Sequence, residues 1–236
     1  MHLEDRIRIL AQPDGESCGA TCLEAVYRYC GLPLEIQTIL TTLQTLPGGG
    51  TLAPYMGTDA RRHSLQATIT PYDTRIFDPS WSSMAEPELA ENLRRSREYR
   101  LEPRTIESVD AYIEFLAAGG KLLFAPLSPT LLTKMLEKGP IIAGLNATYL
   151  YGCAREFESP HGLAYDAVRG QTLGHFVVIV GIDICNDAVS ILDPQLPNPI
   201  SATQQLLRIP TQLLLSAILL GALTYDSALL QVRHCS

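Results

Sequence analysis

Four residues of types suited to acyl transfer are spread along the 236-residue chain: Gln12, Cys18, His175 and Asp193. Cys18 follows Ser17, a helix-capping type, and opens the run Cys18-Gly19-Ala20-Thr21-Cys22-Leu23. This spacing predicts a helix from Ser17 to about Cys30, stopped by Gly31 with Pro33 beyond it. A cysteine in the first helical turn faces unpaired backbone N–H groups and the positive end of the helix dipole, which favour a thiolate. A thiolate is a nucleophile, and an imidazole beside it can take the thiol proton and later return it to a leaving group. A lone cysteine is usually just a small buried apolar residue. Its place at a helix start weighs against that reading, as does Gly19, whose missing side chain lets a substrate backbone approach.

His175 and Asp193 flank a predicted hairpin. Two β-rich runs, Phe176 to Ile182 and Val189 to Leu192, enclose the turn-like Asp183-Ile184-Cys185-Asn186-Asp187. Centred on residue 184, the hairpin sets His175 directly beside Asp193, where a carboxylate orients the ring and stabilises its protonated form. Gln12, on the extended Ala11-Gln12-Pro13-Asp14 segment before the helix, can aim its amide at the same space as the Cys18 backbone N–H. The two would form an oxyanion hole.

The elements that must hold these residues follow from periodicity. Helices are expected over Leu34 to Leu46, from a Thr51 cap toward His63, over Glu86 to Tyr99 and Thr105 to Ala118, and from a Ser128-Pro129 cap to Gly139. Strands are expected over Leu65 to Thr70, Ile141 to Leu145, the two hairpin arms, and Ser227 to Val232. The result is an α+β layout: an N-terminal helical half packed on a C-terminal, mainly antiparallel sheet. The apolar run Leu213 to Leu223 is too short to span a bilayer and reads as a buried core helix. The Gly48-Gly49-Gly50 loop lacks the Lys-Ser/Thr of a phosphate cradle and reads as a hinge or turn.

Composition narrows the function classes. With 18 Lys+Arg against 25 Asp+Glu, the net charge is −7, which argues against nucleic acid and anionic membrane surfaces as partners. Hydrophobic residues make up 46% of the chain, enough for a sizeable core and too many for intrinsic disorder. Six cysteines are too few for a stapled secreted domain, and the acidic N-terminus has no signal-peptide pattern, so a reducing cytoplasm is expected.

The blocks Gln12-x-Asp14-x-x-x-Cys18-Gly19-Ala20-x-Cys22-Leu23, Gly174-His175-Phe176-Val177-Val178 and Leu192-Asp193-Pro194 together resemble the papain-like cysteine peptidase family 39. Its members include bacteriocin-processing domains that cut after double-glycine leaders, and free-standing relatives. The resemblance implies a papain-like fold over residues 1–236 as one unit. It also implies Cys18 as nucleophile, His175 as general base and acid, Asp193 as orienting carboxylate and Gln12 as oxyanion donor. No cofactor is implied, and the partner is a peptide or amide substrate. Ser17 stands where many processing peptidases have an acidic residue, and the region from about 72 to 171 is larger than a minimal peptidase needs. A double-glycine substrate is therefore not implied.

The remaining candidates weigh less. Cys22 has no second cysteine pair elsewhere to complete a zinc site and reads as a core thiol. Cys30, Cys153, Cys185 and Cys235 carry no motif. His161 is a rival base without a paired aspartate, and His63 reads as solvated. Thr148-Tyr149-Leu150-Tyr151 is expected to pack, with a groove-lining role as the alternative. A transpeptidase with the same triad, or a non-catalytic peptide-binding module, would share these residues.

Overall fold

The computed structural model describes residues 3–159 and 162–234. In chain order its elements are α1 (Cys18–Tyr29), α2 (Ile36–Thr42), α3 (Ala53–Arg62), β1 (Gln66–Pro71), α4 (Glu86–Arg97), α5 (Pro103–Ala117) and β2 (Lys121–Leu122). There follow α6 (Pro129–Leu136), β3 (Ile141–Asn146), α7 (Ala147–Tyr151), β4 (Glu156–Ser159), β5 (Gly162–Tyr165), β6 (Gly174–Asp183), β7 (Ala188–Leu192), β8 (Leu206–Pro210), α8 (Thr211–Leu220) and β9 (Ala228–Arg233). Seven strands form one sheet in the order β2-β1-β9-β3-β6-β7-β8, antiparallel except for the β1–β2 pair, while β4 and β5 form a separate hairpin.

The α+β layout holds, with two additions. β1 and β2, from the first half of the chain, join the sheet, and helices cover both of its faces. Successive β6 residues explain this: Phe176, Val178 and Val180 pack into the core containing α1 and α3, while Val177 and Ile179 pack with Leu132 of α6 and Leu214 and Ile218 of α8. A strand buried on both faces reads as a continuous apolar run rather than an alternating one.

Helix α1 lies at the centre of the first core. Gly19 through Tyr27 are all buried, because β6 lies on one side of the helix and α2 and α3 on others. The one charged residue in that stretch, Glu24, is paired with Arg28 at 2.9 Å. A Cβ on Gly19 would lie 2.5 Å from the Thr51 methyl and 3.3 Å from the Phe176 ring, so this glycine serves helix packing rather than substrate access.

Helix caps follow expectation only in part. Ser128 caps α6 by accepting from Leu131 N–H. Ser17 occupies the cap position of α1, but its hydroxyl is turned back to Asp14 and makes no cap bond. The cap of α3 is Leu52, since Thr51 spends its hydroxyl on the Gln44 carbonyl. The apolar run after Thr211 forms α8 and a 3₁₀ turn (Gly221–Thr224), with Leu214, Leu215, Ala217 and Ile218 buried but Leu219 and Leu223 exposed. Among the described residues, no helix is long and apolar enough to cross a membrane.

Candidate active site

The hairpin register differs from the sequence expectation. Val178 lies opposite Leu192 and Asp183 opposite Ala188, with a bulge between Ile179 and Gly181. The hairpin is thus centred on about residue 185 rather than 184, and the paired ladder ends at Leu192, so His175 and Asp193 are not ladder partners. They meet nonetheless. Beyond Leu192 the chain leaves the β6 ladder, the Asp193 N–H donates to the Gln205 carbonyl, and the carboxylate turns back so that Oδ1 lies 2.9 Å from His175 Nε2.

This pair is withdrawn from water: His175 is 4% exposed and Asp193 0%. A buried carboxylate must be satisfied by donors. Oδ1 also accepts from the Gln195 N–H at 2.9 Å, and Oδ2 accepts from the Tyr151 hydroxyl at 2.8 Å. The Tyr151 ring stands 6.1 Å from the imidazole at an angle of 50°. Tyr151 sits at the end of α7, a helix capped by the Asn146 side chain through Tyr149 N–H. Its role as a donor to Asp193 goes beyond the packing role expected from sequence.

Cys18, half-buried at the first position of α1, lines the same cleft as His175, and its charge acts on the imidazole. With Nε2 committed to Asp193, Nδ1 is the ring nitrogen left for the thiol. Burial alone would depress the imidazole pKa. The negative charge of Cys18 and the bonds to Asp193 and Cys18 overcome it and hold the pKa well above its ordinary value.

Gln12 is tied to the same region. Its N–H donates to the Pro194 carbonyl at 2.8 Å, and its side-chain Nε2 donates to the Asp14 carbonyl at 2.8 Å, which occupies one of that amide's two hydrogens. Its Oε1 is buried without a partner. Asp14 shapes the loop before Cys18: its carboxylate accepts from Glu16 N–H and the Ser17 hydroxyl, which hold its pKa below the usual carboxylate range. Gln205, which the sequence did not single out, joins the two segments. Its amide donates to the carbonyls of Leu10 at 2.8 Å and Asp193 at 3.1 Å.

Gln12, Cys18 and His175 open onto a cleft of about 650 Å³. Its lining includes Asp14, Glu16 and Gly48–Gly50 from the N-terminal part of the chain, and Arg104, Glu156, Tyr165, Gly174 and Asp226 from the rest. All three loop glycines have positive φ, and a Cβ on Gly49 would overlap the Glu16 carboxylate. The turn expected from sequence is therefore also a cleft wall.

Other candidates fall outside the site. Cys22 is buried, its thiol donates to the Phe176 carbonyl, and burial pushes it well above its ordinary pKa, so it stays protonated and inert. His63 is exposed, as expected, and stands edge-on to Tyr27, near Asp59. His161 and Cys235 lie outside the described residues. Among the described residues, no group of three or more His, Cys, Asp or Glu side chains could hold a metal ion.

No protein-family model and no curated protein matches the chain. Among solved structures, the peptidase domain of Streptococcus ComA, a bi-functional ABC transporter involved in a quorum-sensing pathway, aligns over 97% of this chain and 98% of that one. The identity is 13% and the TM-score 0.46.

Proposed function

We propose that the chain is a papain-like, cysteine-dependent hydrolase that cleaves a peptide or amide bond through an acyl-enzyme on Cys18. The observation that carries this reading is the buried His175, held on Asp193 at 2.9 Å and lining the same open cleft as Cys18, whose charge acts on the ring. A surface histidine would not need a fully buried carboxylate satisfied by three donors.

In this reading the Cys18 thiolate attacks the carbonyl carbon of the bound amide. The oxygen that becomes negative is held by the free Nε2–H of Gln12 and by the Cys18 N–H, which has no intrahelical acceptor at the first position of α1. The His175 imidazolium protonates the departing amine as the tetrahedral intermediate collapses to a thioester. The neutral imidazole then takes a proton from water, whose oxygen attacks the thioester and releases the acid. Asp193 keeps the ring oriented through both proton transfers. We read the 72–171 region as part of the same unit, a reading supported by Arg104 and Glu156, which line the cleft, and by Tyr151, which donates to Asp193.

The test is incubation with a peptide mixture from a cell extract, with new termini and Cys18 adducts read by mass spectrometry. Wild-type protein should generate new termini and carry acyl groups on Cys18, and Cys18→Ala should do neither. New termini formed equally by purified Cys18→Ala would overturn the assignment.

A further inference from the structure

One buried acid in the cleft takes no part in the chemistry above. Asp226 is 7% exposed and lies on the cleft wall beside Gly174, the residue before His175. A Cβ on Gly174 would sit 1.7 Å from Asp226 Oδ2, and one on Gly144 would sit 1.9 Å from the Asp226 carbonyl oxygen. Glycine at these two strand positions is what lets the aspartate seat against the sheet.

The turn that presents Asp226 is held from several directions. Its N–H donates to the Gly221 carbonyl, and its own carbonyl accepts from Ala228 N–H. The preceding Tyr225 has a φ of 67°, costly for a residue with a side chain. That conformation is fixed by the Arg75 guanidinium 3.8 Å over the Tyr225 ring and by hydroxyl bonds to Glu102 and Thr105. Arg75 is itself anchored on Asp73 and the Ala222 carbonyl.

Such a construction asks for a use. Asp226 belongs to no ion pair among the described residues. Arg104 at the start of α5 is the arginine or lysine of the cleft lining, and it too forms no ion pair there. The lining also holds the carboxylates of Asp14, Glu16 and Glu156, so the cleft carries an excess of acid. Asp14 is spent on its own loop, which leaves Asp226 as the buried carboxyl facing the cleft, with Arg104 as its electrostatic neighbour but no ion-pair contact among the described residues. Burial pushes its pKa up to about 7, against the pull of Thr224, Arg104 and His175, so an arriving cation would relieve a desolvated anion.

We propose that Asp226 is a specificity-determining residue, the acidic base of a subsite that takes a lysine or arginine side chain of the substrate next to the bond being cut. This rests on the thiol-hydrolase reading of Cys18.

The test uses acetyl-dipeptidyl chloromethyl ketones, in which the thiolate displaces chloride and leaves a thioether on Cys18. Lysine, norleucine or glutamate occupies either the residue bearing the reactive carbon or the one before it, with glycine at the other. At pH 8 the lysine probe should alkylate Cys18 about tenfold faster than the norleucine probe at one of the two positions, a modest yield for a close charge pair. Asp226→Asn should bring that ratio close to one, and Arg104→Gln, which removes the competing cation, should widen it. Should Asp226→Asn not fold, Arg104→Gln decides alone. Equal rates for lysine and norleucine, faster glutamate probes, or a lysine preference untouched by these variants would overturn the subsite while Cys18 still labels. No labelling of Cys18 by any probe would overturn the thiol-hydrolase reading, and the subsite with it.

Discussion

The Tyr151 hydroxyl stands 2.8 Å from Asp193 Oδ2, on the carboxylate oxygen opposite the one that holds His175. Each oxygen thus has its own constraint, and the carboxylate cannot rotate without breaking one. Tyr151→Phe keeps the ring beside the imidazole but removes the hydroxyl. Losing a donor to a buried charge costs about 1–3 kcal/mol. Turnover should fall about 5- to 150-fold with KM little changed, and steady-state kinetics checks this. An unchanged kcat would mean that Gln195 and His175 hold Asp193 by themselves.

His175 has a pKa well above its ordinary value because its neighbours are anionic. The imidazolium therefore persists through neutrality beside Cys18. His175→Ala removes that cation and should slow alkylation of Cys18 by iodoacetamide at pH 7 by about tenfold. An unchanged alkylation rate would remove the ion pair from the mechanism. The same group contributes to folding stability fully below its unfolded value near 6.5 and loses that contribution as pH rises through its folded value.

Gln12 can be tested apart from the thiol. An oxyanion donor acts only where a tetrahedral oxygen forms, so Gln12→Ala should lower turnover by about 10²–10³. Alkylation by iodoacetamide develops no such oxygen and should keep its wild-type rate within about twofold. Parallel loss of both rates would point to a displaced Cys18 loop instead, since Gln12 Nε2 also holds the Asp14 carbonyl.

Asp226 gives a stability prediction of definite sign. Burial raises its carboxyl to about 7, so the folded state prefers the protonated form. The resulting stability is present below the unfolded value of 3.8 and is lost as pH rises through about 7. Asp226→Asn cannot ionise. It should match the wild type near pH 4 and exceed it by about 1–3 kcal/mol at pH 8, as thermal melts across that range would register. A stability difference independent of pH would show that the carboxyl is not desolvated.

Much of this architecture was legible in the sequence where one local rule governs. The start of α1 at Cys18 followed from the Ser17 and Gly31 punctuation, and β6 from its apolar run. The meeting of His175 with Asp193 was also legible, although through a register that the bulge near Val180 displaces. An irregular segment after Leu192, not ladder geometry, makes the contact. The rest depends on long-range contacts. Tyr151 lies 42 residues from Asp193, and Gln205 lies 195 from Leu10, separations that no periodicity encodes. Asp226 left two usable signs, Gly144 inside β3 and Gly174 at the start of β6, glycines among bulky strand residues that mark a close approach from elsewhere.

The strand that comes last in sequence, β9, lies near the middle of the sheet between β1 and β3, and Asp226 sits just before it. During synthesis, β1 and β3 have no shared neighbour until residue 233 has emerged, so the sheet stays split and this wall of the cleft unformed. A nascent chain therefore holds Cys18, His175 and Asp193 for some time without the completed cleft wall. In the proposed reading, delayed assembly of that kind spares neighbouring nascent polypeptides from a thiol that is chemically ready before it is selective.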